Sequence, residues 1–479
     1  MRISPLLGLV LALFLSPAVA LSAPRADALG PVATVAEPRD GFVGSIAASP
    51  ANGPAGTPVT VTGEGFAAGE PLELVWRTVV GSWNAADGTY RGRDFVPVGY
   101  VVATVTPDAE GRISAGFTAP EDFGFSHDIV VQQGDRVLTQ TAFNLDIAMR
   151  VEPASGPLGT PLTVTVQGIG WRDLENSWML VYDNSFTGWV SSVTTGGTAT
   201  FTIPATGAEG RHVLRLVHGA YTFPYLNPEQ NPVPGRARPR AEFELTAGEA
   251  VVPPAPETQI QAEVRSLPEP AELMVSPEFS GIGQPVEVMA MELQPGESYE
   301  LNWDAMRGNR MVATGFGVES RVIASAVADA DGNASFSFTA PDDLGGAHGL
   351  WVANGTDKLT GNYWIVPTAL PLDVAEGPAG TEFTIHLKGG GWSETANIYN
   401  VNYDNAYLGY ACAFNSNGDI TIHLTASGEP GMHYIDLYPG IYKGEESRPN
   451  NFKIPQLTAE EDHPGEDLPV FRFAFRVTE

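Results

Sequence analysis

The chain has 479 residues, with 26 Lys and Arg against 56 Asp and Glu, a formal net charge of −30, and only four of its basic residues are Lys. Such a surface repels phosphate backbones and anionic lipid, which excludes nucleic acid as a partner and argues against membrane insertion. Gly 53 and Pro 39 in a chain of ordinary apolar content indicate many turns. Val/Thr/Phe alternation without long amphipathic helical patterns predicts an all-β protein.

Residues 1–23, beginning MRISPLLGLVLALFL, carry one Arg, a short apolar run and small-x-small cleavage sites, and predict a signal peptide. The run is too short for a spanning helix, and no later segment is long and apolar enough for one. No Cys follows it to take a lipid. The expectation is a chain that is secreted or held at the cell surface, with the periplasm as the remaining compartment. The single Cys412 cannot form an internal disulfide, so export without disulfides points to a bacterial or archaeal module stabilised by its core. A mature length of roughly 455 residues is too much for one core.

Repeats organise the rest. Four stretches open alike: SPANGPAGTPVTVTGEGF from Ser49, EPASGPLGTPLTVTVQGIGW from Glu152, SPEFSGIGQPVEVMAMEL from Ser276 and DVAEGPAGTEFTIHLKGGGW from Asp373. Each is a Gly/Pro turn feeding an alternating strand with one buried face. A second shared unit places Gly111, Gly197, Gly332 and Gly418 alike, which predicts hairpin tips needing positive φ. A third contains His127, His212, His348 and His433, each leading a further strand. The spacing from this Gly to the His is 16 residues in the first and third modules and 15 in the second and fourth. The second and fourth align without a gap from Gly159 to His212 and from Gly380 to His433, with Trp171 opposite Trp392. The order is a duplicated pair. Modules are expected at 41–148, 149–247, 272–368 and 369–479, with a Pro- and Glu-rich, semi-extended linker at 248–271.

The opening SPANGPAGTPVTVTGEGFAAGE resembles bacterial immunoglobulin-like repeats of the IPT/TIG type. The later Asp-x-x-Gly turn and the Gly-x-His strand are similar to variants of such repeats, although VEVMAMEL in the third module lacks the glycines. The resemblance implies a tandem array of four immunoglobulin-like β-sandwich domains used for display or adhesion. It is specific for fold and says little of function.

Within the paired modules one motif occurs twice, as VYDNSFTGWV at 181–190 and NYDNAYLGYA at 402–411. Asp183-Asn184 and Asp404-Asn405 fall between two predicted strands, where Asp and Asn suit left-handed dihedrals. On that reading Asn184 and Asn405 are equivalent corners and respond alike to substitution. The alternative is a glycan site: Tyr182, Asp183, Asn184, Trp189 and Tyr221 in one copy, and Tyr403, Asp404, Asn405, Tyr410 and Tyr442 in the other. Aromatic rings would stack on a sugar face while the acid–amide pair orients hydroxyls.

The four module histidines sit in different modules and cannot converge, so each is expected to bond a neighbouring loop. His463 in EEDHPGEDLP lies at the entry to a final strand. DADG from Asp329 lacks the further oxygens of a calcium loop. Trp76 and Trp303 read as core anchors. With no G-x-S-x-G elbow and no phosphate loop, no catalytic residue, metal or cofactor is expected. The partner is expected to be an extracellular protein or glycan. One stretch, RTVVGSWNAADGTYRGRDFVPV in the first module, is longer than its counterpart in the third and reads as a long loop bearing Trp83, Tyr90 and Arg91. It serves recognition or folds back over its own sandwich.

Overall fold

The computed structural model describes residues 23–35, 41–86, 88–176, 178–219, 223–230, 238–259, 272–308, 316–414, 416–442, 453–465 and 468–479. Residues 1–22 of the expected signal peptide, the second half of the linker (260–271) and Tyr221 lie outside them.

Eight sheets pair into four sandwiches. In the first, Ser45–Ser49, Pro58–Glu64 and Ile113–Thr118 form a three-stranded sheet. Facing it, in spatial order, run Val32–Ala33, Thr89–Val105, Leu72–Ala86, Phe125–Gln133, Arg136–Leu145 and Asn52–Gly53. The other three modules repeat this with three strands against five. In each, the opening segment is split. Its first part pairs antiparallel in the small sheet and its second part pairs parallel with the last strand of the large one. This is the immunoglobulin-like arrangement.

Strand alternation builds each core. In Pro58–Glu64 the inward Val59 and Val61 meet Leu74, Trp76, Ile129 and Phe143 of the facing sheet. Trp76 and Trp303 are fully buried anchors. Each donates its Nε1 to a buried carboxylate, Asp122 at 2.7 Å and Asp343 at 3.0 Å, and stacks on the module histidine at 4.4 and 4.3 Å between ring centres. Gly111, Gly197, Gly332 and Gly418 have φ of 76°, 85°, 80° and 95°. Their turns are not hairpins, however: each carries the chain from one sheet to the other, as from Thr89–Val105 to Ile113–Thr118. A Cβ at Gly111 would stand 2.4 Å from the carbonyl oxygen of Phe66, so close approach adds to the conformational demand.

The modules are not beads on a string. The core of the second continues into Tyr438, Leu457 and Val470 of the fourth. Residues 248–259, expected as a spacer, instead form a strap along both. Val251 donates its N–H to Leu158 and accepts from the Tyr434 hydroxyl at 2.8 Å, while Gln259 exchanges two hydrogen bonds with the Arg472 backbone. The first module also begins upstream of residue 41, since Val32–Ala33 extends its large sheet and Ala26 bonds Glu121.

The long stretch of the first module is not a loop. Leu72–Ala86 and Thr89–Val105 pair along their length as one hairpin arm. The arm leaves its own sandwich and ends on the fourth module, where the Tyr90 N–H reaches Glu394 Oε2 at 2.8 Å and the Glu394 N–H reaches the Gly88 carbonyl at 2.7 Å.

Asp122 accepts from Trp76 Nε1, Thr78 Oγ1 and the Phe123 N–H at 2.7 to 2.9 Å. An amide there turns a donor toward a donor. Asp122→Asn is therefore expected to destabilise the first module by about 1–3 kcal/mol, read as a lower denaturation midpoint, and an unchanged midpoint would refute this role.

Candidate functional site

The two Tyr-Asp-Asn motifs are corners built from a two-residue turn. Tyr182 pairs with Ser185 and Tyr403 with Ala406, and the residues between have left-handed φ: 47° and 74° at Asp183 and Asn184, 47° and 62° at Asp404 and Asn405. Such a turn fits the twist of the flanking strands, and Asp and Asn tolerate it better than branched residues.

Each Asp is fixed by the next strand over. Asp183 Oδ1 accepts the Val213 N–H at 2.8 Å, and Oδ2 bonds His212 Nδ1. Asp404 accepts the Tyr434 N–H at 2.9 Å and bonds His433 Nδ1 at 2.5 Å. The far nitrogen of each ring meets a carbonyl four residues upstream, Ala208 at 2.7 Å and Glu429 at 2.9 Å. Tyr182 and Tyr403 stack on these rings at 5.5 and 5.6 Å and send their hydroxyls to the carbonyls of Thr206 and Ser427. Asp–His pairs suggest general-base chemistry, but here the second ring nitrogen of each is engaged by a backbone carbonyl. In the first and third modules His127 and His348 are held likewise between two carbonyls. His463 is buried between Gln456 and the Thr395 carbonyl.

The glycan platform does not assemble as expected. Tyr182 and Trp189 are only 3% and 2% exposed, so neither face is open to a sugar. Trp189 instead packs in a small apolar cluster with Tyr90 of the first module, Met179 of the second, and Ile441 and Ile454 of the fourth. Asn184 is exposed and accepts from Arg215. Asn405 is not its equivalent. It is 1% exposed, and its Nδ2 donates across the module boundary to the Pro204 carbonyl and Thr206 Oγ1, both at 2.8 Å. Tyr410 is 44% exposed, and Lys453 bridges it to Tyr442, with its Nζ 5.3 and 4.3 Å from the two ring centres.

The residues that concentrate polar contacts are ones that motif reasoning missed. Asp462, 1% exposed, accepts from Trp83 Nε1 at 2.9 Å, from the Val193 and Thr194 N–H groups at 2.7 and 2.9 Å, and from Thr194 Oγ1 at 2.8 Å. One carboxylate thus joins the first, second and fourth modules. Asn402 Nδ2 donates to the Thr187 carbonyl at 2.8 Å, and Arg472 donates to Thr202 at 3.1 Å. Trp189 and Leu457 add two backbone bonds that lay residues 455–457 along the edge of the second module.

Beside this joint lies a cavity of about 410 Å³ between Pro161 and Pro204, the strap residues Val251–Pro254, and Tyr434, Asp436 and Arg472. Arg472 Nε stands 3.9 Å from Asp436, and its guanidinium also stands 3.8 Å from Glu460. Asp436 Oδ2 has no hydrogen-bond partner among the described residues. Burial pushes its carboxyl up to about 7 against the opposing pull of Arg472. The hydrogen bond to Asp404 raises the His433 imidazole above its ordinary value.

No family model matches this sequence, and no curated protein matches it. Among solved structures it is similar to invasin, a bacterial integrin-binding protein, at 10% identity and a TM-score of 0.19, covering 91% of this chain and 79% of that one. A D1–D4 ectodomain fragment of ICAM-5 gives 12% identity and a TM-score of 0.18 over 91% and 99%. The BSP domain of a biofilm associated protein gives 9% and 0.14 over 95% and 99%. The immunoglobulin-like fold rests on the chain's own sheets. Among the described residues no helix is long and apolar enough to cross a membrane.

Asn184→Gly is expected to be nearly neutral. Asn405→Gly removes two buried cross-module bonds and is expected to cost about 1–3 kcal/mol, so equal denaturation midpoints for the two variants would refute the asymmetry. For pH, an acid raised by burial stabilises the fold below its unfolded value and loses that contribution as pH climbs through its folded value. An imidazole raised by a carboxylate behaves in the same direction. Stability of the fourth module is therefore expected to fall from about pH 4 through 7 because of Asp436, and further above about 6.5 because of His433. Asp436→Asn should flatten the lower part of the curve and His433→Gln the upper part, in denaturation followed across pH.

Proposed function

We propose that this protein is an exported, non-catalytic scaffold of IPT/TIG-type immunoglobulin-like repeats, acting in adhesion or display outside a bacterial cell. The observation that carries this reading is the use made of its polar side chains. Asp462, Glu394, Asn402, Asn405 and the module Asp–His pairs are all engaged in holding strands or modules together. Groups committed in this way serve a shaped, acidic surface and not a reaction centre. The partner on this reading is an extracellular protein or a glycan. For the glycan, Tyr410, with Lys453 and Tyr442 beside it, is the exposed ring among the described candidates.

Protease shaving of intact producing cells, followed by binding of the labelled full chain to those cells and to their extracted surface polysaccharide, tests this. The expected result is release from the outer surface and saturable binding without turnover of the bound material. Retention in the cytoplasm, or hydrolysis of the bound material, would overturn the reading. Loss of polysaccharide binding in Tyr410→Ala with an unchanged melting profile would assign the ligand to the glycan class. Unchanged binding would remove that ring from it.

A further inference from the structure

The large sheet of every module ends in a strand with a potentially open edge, and three of the four edges are covered. In the first module Val32–Ala33 pairs with Tyr100 and Gly99 of the strand Thr89–Val105. In the second, the backbone of Trp189 bonds Pro455 and Leu457. In the fourth, Ala406–Cys412 lies against Ser185–Val190 of the second. The third differs. Phe316–Val327 pairs with Ser298–Gly308 on one side, and among the described residues no strand pairs with its other side.

This edge is long. At one end the Phe316 ring lies near Trp392 and Phe414 of the fourth module, further along the ladder shifts register at Ile323, and residues 317–322 lie between. All of residues 317–322 are exposed, with Val318 and Val322 at 63% and 51%. Edge strands are ordinarily protected by Pro, by charged side chains (Lys above all), by bulges, by shortness or by a cover, because their free N–H and C=O groups recruit further strands. Phe316–Val327 has 12 residues and contains neither Pro nor Lys, and its two charged residues, Glu319 and Arg321, are of opposite sign, so they repel a second strand only in the registers that oppose like charges.

Its sequence is complementary to itself. Val318-Glu319-Ser320-Arg321-Val322 placed antiparallel to a second copy, with the two-fold axis through Ser320, sets Val318 opposite Val322, Glu319 opposite Arg321 and Ser320 opposite Ser320. Directly opposed residues lie about 5 Å apart, where opposite charges attract and like charges repel. Slipping by two residues opposes Glu319 with Glu319, or Arg321 with Arg321. Slipping by one turns each side chain to the wrong face. The symmetric register is the one that satisfies both charges. Glu319 and Arg321 have neighbours already, Arg307 at 3.9 Å and Asp343 at 3.7 Å, but their side chains are 73% and 45% exposed and can be shared.

We propose that the third module pairs edge to edge with the third module of a second copy, joining the two five-stranded sheets across a two-fold axis. Such an isologous contact closes on itself, so it makes a dimer and not a fibre.

The test is the mass of the purified full chain by light scattering and sedimentation over a concentration series. The expected result is a concentration-dependent dimer for the unaltered chain. Glu319→Arg and Arg321→Glu should each weaken it at least tenfold by opposing like charges. The double variant, which exchanges the two charges, should restore it. Val322→Lys is a further variant that should also yield monomer, and thermal melts establish that each variant is folded. A wild-type chain that remains monomeric at its highest soluble concentration overturns the proposal. So does a dimer indifferent to both single reversals, or a double variant that fails to recover.

Discussion

The carboxylate of Asp462 is the point on which the arrangement of three modules depends. A buried carboxylate is tolerated only when its oxygens are supplied with donors, and here the donors come from different parts of the chain. Trp83 arrives on the hairpin arm of the first module, and Val193 and Thr194 arrive after the edge strand of the second. No one of these segments can be moved without leaving the charge short of partners. The same joint fixes the arm, because Glu394 holds its tip at Gly88 and Tyr90 some distance from Trp83 along the hairpin. Two carboxylates of the fourth module therefore decide where the first module points.

Duplication explains the folds and divergence explains the assembly. The second and fourth modules share the corner, the His–Asp pair and the stacked Tyr, all of which serve one sandwich internally. They differ where they meet. At aligned positions of the same strand the second module has Met179 and Val181, and the fourth has Asn400 and Asn402. The arm in the first module exceeds its counterpart in the third and ends on Glu394, whereas the third module's hairpin meets the fourth through Arg307, which donates to Asn417 at 2.8 Å. An ancestral pair of equivalent modules could not have formed this joint symmetrically, since each side supplies what the other lacks.

Much of this fold could be read from the sequence, and the reasons separate by distance along the chain. Alternating strands, the positive φ of the Gly turns and the buried Trp anchors are local patterns, and they were legible. Asp-Asn as a left-handed corner was legible for the same reason. That the Gly turns cross between sheets and are not hairpins depends on distant pairing and was not legible. The joint was not, because Asp462 lies in EEDHPGED, which reads as the entry to a final strand, and its donors Trp83, Val193 and Thr194 are hundreds of residues away. One local signal was present and unused. WMLVY at 178–182 has no alternation, and a strand apolar on both faces must be covered on both. All five residues are buried. Equating Asn184 with Asn405 erred in the same way: the motif fixes the backbone of both, but what the side chain meets is set by the neighbouring module.

The polar character of the joint suits orientation better than adhesion strength. Besides Asp436 Oδ2, the hydroxyls of Tyr399 and Tyr438 and the amide oxygens of Asn402 and Asn405 have no hydrogen-bond partner among the described residues. Each such buried group costs about 1–3 kcal/mol. Apolar contact must offset this, and the cluster of Tyr90, Met179, Trp189, Ile441 and Ile454 provides it, at about 1.5–3 kcal/mol for each large side chain removed from water. Apolar contact alone, however, would accept many rotations of one sandwich against another. Directional bonds from Asn402, Asn405, Arg472 and Asp462 accept only one, because any other leaves more charges and amides buried without partners. The modules are thus pressed together by a few aromatic and aliphatic side chains and aimed by the polar ones.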